Sequence, residues 1–486
     1  MGSNTTQQSL LACLLPLVGL GCYSDVARAQ CEIAPVSVTA LTDGFSSRGL
    51  PEISRDGGML VQGSGDSSSI ALNAGAAHVF RLEADIWTLQ ETLIPDDLET
   101  QDRFGDAVDI DGDTIIVGAP YQDARGTNSG SAYIYRNDGT GWRLLQKLVP
   151  TGVSTGNLFG FSVAVEDQTI LISALGDNTN GNFSGAVYAY TANGPDRTAW
   201  TLEETIRPDD NSVSDLFGTS VDIDAGRGVV GASQNAREGQ NALVPGSVYV
   251  YRRDADRWTQ TQNIFPQNVH AAGFGFSVDL NGTDLIVGAR DSTSPDGFIG
   301  QAGAAFVYHF DGESWGAESL LSAPNPVSFD LFGQYVTIDG NVAVVDSPEI
   351  HRFPNPPGQG HIYVFERDAE TWTLRSQYNG GVPGSVAYFY YGVAPQLIGN
   401  DLVLGAPFQD LNTGDLATDL VVLDLGCVGN TCPADLDGDG DADADDFFAY
   451  LDAFAIGDAD VCDIDGDGDC DADDFFGYLD QFALGC

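Results

Sequence analysis

Three regularities predict an all-β molecule built from repeated four-stranded sheets. Phe-Gly or a near equivalent recurs at Phe104, Phe159, Phe217, Phe274, Phe332 and Tyr391, at intervals of 55, 58, 57, 58 and 59 residues. A Val-Gly-Ala-type strand end follows in phase at Val117, Ile172, Val230, Val287, Val345 and Leu404. All six tryptophans, Trp87, Trp142, Trp200, Trp258, Trp315 and Trp372, occupy one repeat position. A lone four-stranded sheet cannot bury both faces, so such units predict neighbours arranged around an axis. The expected fold is a seven-bladed β-propeller closed by an N-terminal strand.

The best-defined repeat lies between Phe104 and Val149. Residues 107–110, 114–118, 131–135 and 142–148 are short, alternating or β-branched runs bounded by Gly, Asp or Asn, the pattern of strands joined by hairpins. A weaker first repeat covers 49–93, with strands expected at 59–61, 76–80 and 87–93. Five clearer repeats run to about residue 378, and a last one begins near Tyr391. That last repeat ends with the strand 418–425 (TDLVVLDL) and has no Trp strand behind it. Residues 33–41 (IAPVSVTAL) form a spare strand, so their pairing with 420–424 would complete the blade and remove an open edge. The hairpin that joins these two strands elsewhere is missing here. Its ends would be Cys31 and Cys427, which predicts a disulfide between them.

Composition narrows the function. The 486 residues hold 70 acidic and 20 basic side chains, a formal charge of −50. That balance opposes binding to nucleic acid or to anionic membranes. Residues 1–29 read as an export signal: residues 10–21 are apolar, too short to span a bilayer, and Ala27-Arg28-Ala29 offers a cleavage site. The expected domains are this leader, a propeller over 30–426 and a C-terminal module over 427–486, in a secreted, extracellular or cell-surface protein without a membrane span. Six cysteines remain after the leader, Cys31, Cys427, Cys432, Cys462, Cys470 and Cys486, an even number that favours disulfides in an exported chain.

The units FG…IVGAP…GSAYIYR…W resemble the FG-GAP repeats of integrin α-chain propellers and of exported bacterial proteins, over roughly residues 44–425. The resemblance implies the propeller fold and a role in adhesion, ligand binding or display, with an unidentified protein or glycan as ligand. Many repeats of that family carry a calcium loop before the VGAP strand. In Asp109-Ile110-Asp111-Gly112-Asp113-Thr114, Thr114 stands where the loop needs Gly and Val117 where a carboxylate should follow, so the segment reads as a hairpin turn. Asp123, Asp177, Asp291 and Asp410 follow the VGAP strands and are expected along one rim, as turn-capping residues rather than ligands.

The strongest chemical signal is C-terminal. Residues 435–446 and 463–474 are twelve-residue EF-hand-type loops, 28 residues apart. Asp435, Asp437, Asp439, Asp441 and Asp446 in one, and Asp463, Asp465, Asp467, Asp469 and Asp474 in the other, are the candidate ligands of two calcium ions. A helix-like apolar segment follows each loop and none precedes it. This duplicated loop–helix resembles the Gly-Cys-ended dockerin, a small α calcium-binding domain of paired half EF-hands, over about 427–486. The resemblance implies a cohesin-like partner, contacted through Ala444, Asp445, Ala472 and Asp473. Cys462–Cys470 with Cys432–Cys486 is one of three connectivities open to the four tail cysteines.

No catalytic constellation stands out. The five histidines fall at differing repeat phases, and no nucleophile motif occurs. The leading expectation is a non-catalytic exported recognition, adhesion or display protein; the alternative is a polysaccharide-active enzyme on a propeller scaffold.

Overall fold

A computed structural model describes residues 37–41, most of 53–348 and of 360–424, and Tyr450, Leu451 and Phe454. Glu32–Thr431 forms one compact unit. Within it, six sheets share one plan: four strands in sequence order, each antiparallel to the next. The second of these sheets comprises Ala107–Asp111, Thr114–Ala119, Ser131–Asn137 and Trp142–Leu148, close to the expected strands. The first comprises Ile53–Asp56, Met59–Ser64, Ala76–Glu83 and Ile86–Leu93.

First strands of consecutive sheets lie against one another, which places them around the axis. Burial changes outward from there. The second strand Thr114–Ala119 is buried at every position, while Trp142–Leu148 is buried only at its two ends. A strand covered on both faces reads as a continuous apolar run, and an outer strand need not.

The core sits between sheets. At the junction of the first two blades, Val61, Ala77 and Val79 pack with Phe104, Ile115, Val117 and Tyr133. Each Phe of the Phe-Gly motif meets an aromatic ring of its own blade's third strand. Phe159 and Tyr188 have centroids 5.2 Å apart at 89°, and Phe217 and Tyr249 are 5.3 Å apart at 77°.

The motif glycines are there because backbones touch. Gly130 bridges to Phe159 of the next blade, and a Cβ on it would lie 2.1 Å from the Phe159 carbonyl oxygen. A Cβ on Gly118 would lie 2.0 Å from the Gly160 carbonyl oxygen. Gly118 belongs to the Val-Gly-Ala motif and Gly160 to the following Phe-Gly, so the two halves of the repeat meet across a junction.

A further link lies at the periphery. Four residues after each of four tryptophans stands Glu91, Gln146, Glu204 or Gln262, whose side chain accepts the N–H of the next tryptophan. The distances are 2.9, 2.9, 3.1 and 2.9 Å for Trp142, Trp200, Trp258 and Trp315.

Two expectations are corrected. Seven blades were expected, and the structure is a six-bladed β-propeller with an irregular closing sheet. That sheet has five strands and not the order of the others. Ser37–Leu41 pairs with Leu416–Asp424, Ser37 opposite Val422 and Leu41 opposite Thr418. Asp401–Asp410 comes next, and both Ala387–Phe389 and Gln396–Ile398 pair with it. With Tyr391 in place of the motif Phe and no Trp strand, this segment lacks residues that shape the other blades. Val403 packs it against Ile53, Leu60, Phe80 and Trp87 of the first blade. The expected α domain is not upheld either: every element formed by the described residues is a strand, and helical backbone is confined to Tyr450, Leu451 and Phe454 among them. Both calcium-type loops, the four contact residues and every cysteine lie outside the described residues, as does any disulfide between them.

Candidate functional site

Because the strands alternate in direction, the loops after second and fourth strands share one end of the ring. Exposed apolar side chains occur in those loops on the first, third and fifth blades. Ile70, Leu72, Phe183 and Phe298 follow second strands; Val213, Val327 and Phe329 follow fourth strands. Phe298 is 88% exposed and Val213 62%.

The rim carboxylates do not form one site. Asp123 accepts the Asn128 N–H at 2.8 Å, closing its own loop. Asp177 is buried and takes two bonds from Arg207, at 3.1 and 2.8 Å. Burial works to raise its pKa, but the Arg207 bonds hold it below the usual carboxylate range. Asp291 lies 3.7 Å from Arg290. Each stands on a different blade with its own local partner; Asp123 caps its turn, as does Asp177 by accepting the Thr179 N–H at 3.0 Å, whereas Asp291 meets side chains. The side chain of Asp410 lies outside the described residues. A shallow depression lined by Ala271, Ser292, Thr293, Pro295, Ala304, Phe306 and Leu320 has no room for a water molecule and no ionisable group.

The first strands carry a second set of carboxylates. Asp109, Asp222 and Asp279 recur at one position and each accepts a backbone N–H of the next blade. Val165 donates to Asp109 at 2.5 Å, Leu280 to Asp222 at 2.6 Å and Ile338 to Asp279 at 2.6 Å. Ser54 of the first blade donates to Asp109 in turn. A tier nearer the turns repeats the device: Gly112 donates to Asp56 at 2.6 Å, Asp167 to Asp111 at 2.8 Å and Ala225 to Glu166 at 2.6 Å.

The upper tier sits in a poorly solvated place. Burial pushes the Asp109 and Asp279 carboxyls up to about 6. Asp222 is driven well above its ordinary value by burial, then by the like charges of Asp279 and Asp109. A raised native pKa means the folded ring holds protons that the unfolded chain has released, between about pH 4 and 6. Stability from these groups is therefore fully present below about pH 4 and is lost as pH rises through 6. Asp109→Asn should flatten that fall, by on the order of 1–2 kcal/mol between pH 4 and 7. Urea unfolding followed by tryptophan fluorescence measures it, and an unchanged slope would refute the assignment.

The calcium implied by the family resemblance does not fit the ring's turns. Asp109 faces Val165 and Ser54, and Asp111 and Asp113 are both taken by Arg197, at 2.9 and 3.1 Å. Three other side chains come together with ligand-type atoms within 4.8 Å: Asp284, His309 and Glu318. Arg367 already sits on both Asp284 oxygens at 2.8 and 2.9 Å and lies 3.4 Å from Glu318. Sequence reading missed this group, because its members are 25 and 9 residues apart and meet only across strands.

The family model described as FG-GAP repeat matches residues 87–135, 142–190, 200–251 and 258–308. No curated protein matches the chain. Each match opens at or beside a tryptophan, on the outer strand of one blade, and closes on the third strand of the next. The family unit thus straddles a junction, where its Phe, Gly and aromatic positions have just been placed. No helix of the described residues is long and apolar enough to cross a membrane. The chain carries FG-GAP repeats on a β-propeller, a scaffold typically used for recognition rather than catalysis.

Proposed function

We propose that this is an exported, non-catalytic recognition or adhesion protein, tethered through a calcium-dependent C-terminal docking module. The observation that carries the first half is the set of FG-GAP repeats, a scaffold for protein interaction or adhesion.

The second half rests on sequence. Asp435, Asp437, Asp439, Asp441 and Asp446 would hold one calcium ion, and Asp463, Asp465, Asp467, Asp469 and Asp474 another. Ala444, Asp445, Ala472 and Asp473 would meet a cohesin-like partner. Because the donor carboxylates repel one another without a cation, docking should depend on the metal.

Titration of the full chain against a panel of cohesin modules, by calorimetry, tests this reading. Binding is expected in millimolar calcium and should be lost in excess EDTA. It should also be lost, or weakened at least about tenfold, in Asp435→Ala/Asp463→Ala, where each loop loses its first ligand. Failure to bind any cohesin in calcium, or binding indifferent to EDTA, would contradict it.

A further inference from the structure

The cations in this acidic ring are few, and their placement is not random. We infer that arginines reaching across blade junctions serve as the ring's resident cations, so that the propeller stands without a bound metal.

Arg197 shows the arrangement most fully. It leaves the connection between the third and fourth strands of the third blade and reaches back to the turn of the second. One of its amino groups donates to Asp111 Oδ2 at 2.9 Å and to the Asp167 carbonyl at 2.9 Å; the other lies 3.1 Å from Asp113 Oδ1. Two carboxylates and a carbonyl are the hard oxygen donors a divalent ion would want. They converge on a guanidinium that is only 15% exposed. Asp111 also accepts the Asp167 N–H at 2.8 Å, so little lone-pair capacity is left for an ion that requires six to eight oxygens.

Two further junctions use one strand position. Arg253 and Arg367 each stand next to the last residue of a third strand, Ser247–Asp254 and His361–Asp368. Arg253 reaches the preceding blade at Thr169 Oγ1 (2.6 Å), Thr191 Oγ1 (3.1 Å) and both oxygens of Glu203 (3.1 Å). Arg367 takes Asp284 and Glu318 of the blade before it and covers the group that His309 shares. In the intervening blade the equivalent residue is Phe310, and the cation comes from the other side: the Arg227 guanidinium lies 4.6 Å from its ring centroid. Thr169, Arg227 and Asp284 each open the second strand of their blade, so one contact recurs with its chemistry exchanged. A guanidinium stays charged at every accessible pH and offers five donors in a fixed fork, which suits it to a permanent cross-link.

Tryptophan fluorescence isolates the ring in the full-length protein, because all six tryptophans lie between 87 and 372 and none in 427–486. The wild-type thermal midpoint so measured should be the same, within about 1 °C, in excess EDTA and in millimolar calcium. In EDTA, Arg197→Ala and Arg367→Ala should each lower it by about 2–5 °C. Arg197→Lys keeps the charge but loses the fork, and should fall between wild type and Arg197→Ala. A wild-type midpoint that drops on chelation would overturn the inference, and so would alanine variants that melt with the wild type. Neither outcome bears on docking by the tail.

Discussion

Phe159→Ala should cost about 3–5 kcal/mol, the loss expected when a fully buried aromatic leaves a cavity. Phe159 has no exposed surface and packs at the junction of the second and third blades, among Ile116, Ile134, Ile170, Ile172 and Tyr188. Those neighbours come from two sheets whose backbones are fixed by their own ladders, so the cavity has little freedom to collapse. The edge-to-face contact with Tyr188 goes as well, worth up to about 1 kcal/mol beyond the buried area. Urea unfolding by tryptophan fluorescence measures the change. A loss below about 1 kcal/mol would show that the motif Phe is not the junction's anchor.

Gly130→Ala should be comparably damaging for a different reason. The added methyl would lie 2.1 Å from the Phe159 carbonyl oxygen and 2.4 Å from its nitrogen, both backbone atoms that cannot rotate aside. Gly130 also has φ = 82°, a backbone conformation that side-chain-bearing residues rarely adopt. Relief would require the blades to part, breaking the Phe159 N–H bond to the Ser129 carbonyl (3.0 Å). The expected loss is above about 3 kcal/mol, read from the same unfolding curves. Gly139→Ala is the control: its Cβ would meet nothing within 4 Å, yet its φ is 85°. Only the strain should remain there, about 1 kcal/mol. Equal losses at the two sites would assign the effect to φ and not to contact.

Much of this was legible in the sequence because it is local and repeated. The run at Thr114–Ala119 and the tryptophans mark second and outer strands without knowledge of the partner. The spare strand near residue 37 was legible too, from the arithmetic of a last repeat short of one strand. What failed was the assumption that every repeat is a blade. The segment after Asn379 keeps the Leu-Gly-Ala signature at 404–406, but its strand Asp401–Asp410 is long enough to take two short partners on one edge.

The junction chemistry was illegible for another reason. Glu91, Gln146, Glu204 and Gln262 bond tryptophans more than 50 residues away, and Arg253 bonds Thr169 at a separation of 84. A Glu or Gln four residues after Trp was visible in four repeats. Only the neighbouring blade gives it a purpose. Asp109, Asp111 and Asp113 show the same limit: as a string they resemble an ion loop, and in the ring each faces a donor on the third blade.

The central claim is that the FG-GAP motif is junction machinery and that the junctions make the ring one cooperative body. Variants retaining a single tryptophan, Trp87 or Trp315, report unfolding from the first and fifth blades separately. Measured with Phe159→Ala added, which weakens a junction containing neither probe, both should report one lowered and coincident urea midpoint. If the midpoints separate, or if only one moves, the blades fold as independent units and the account fails.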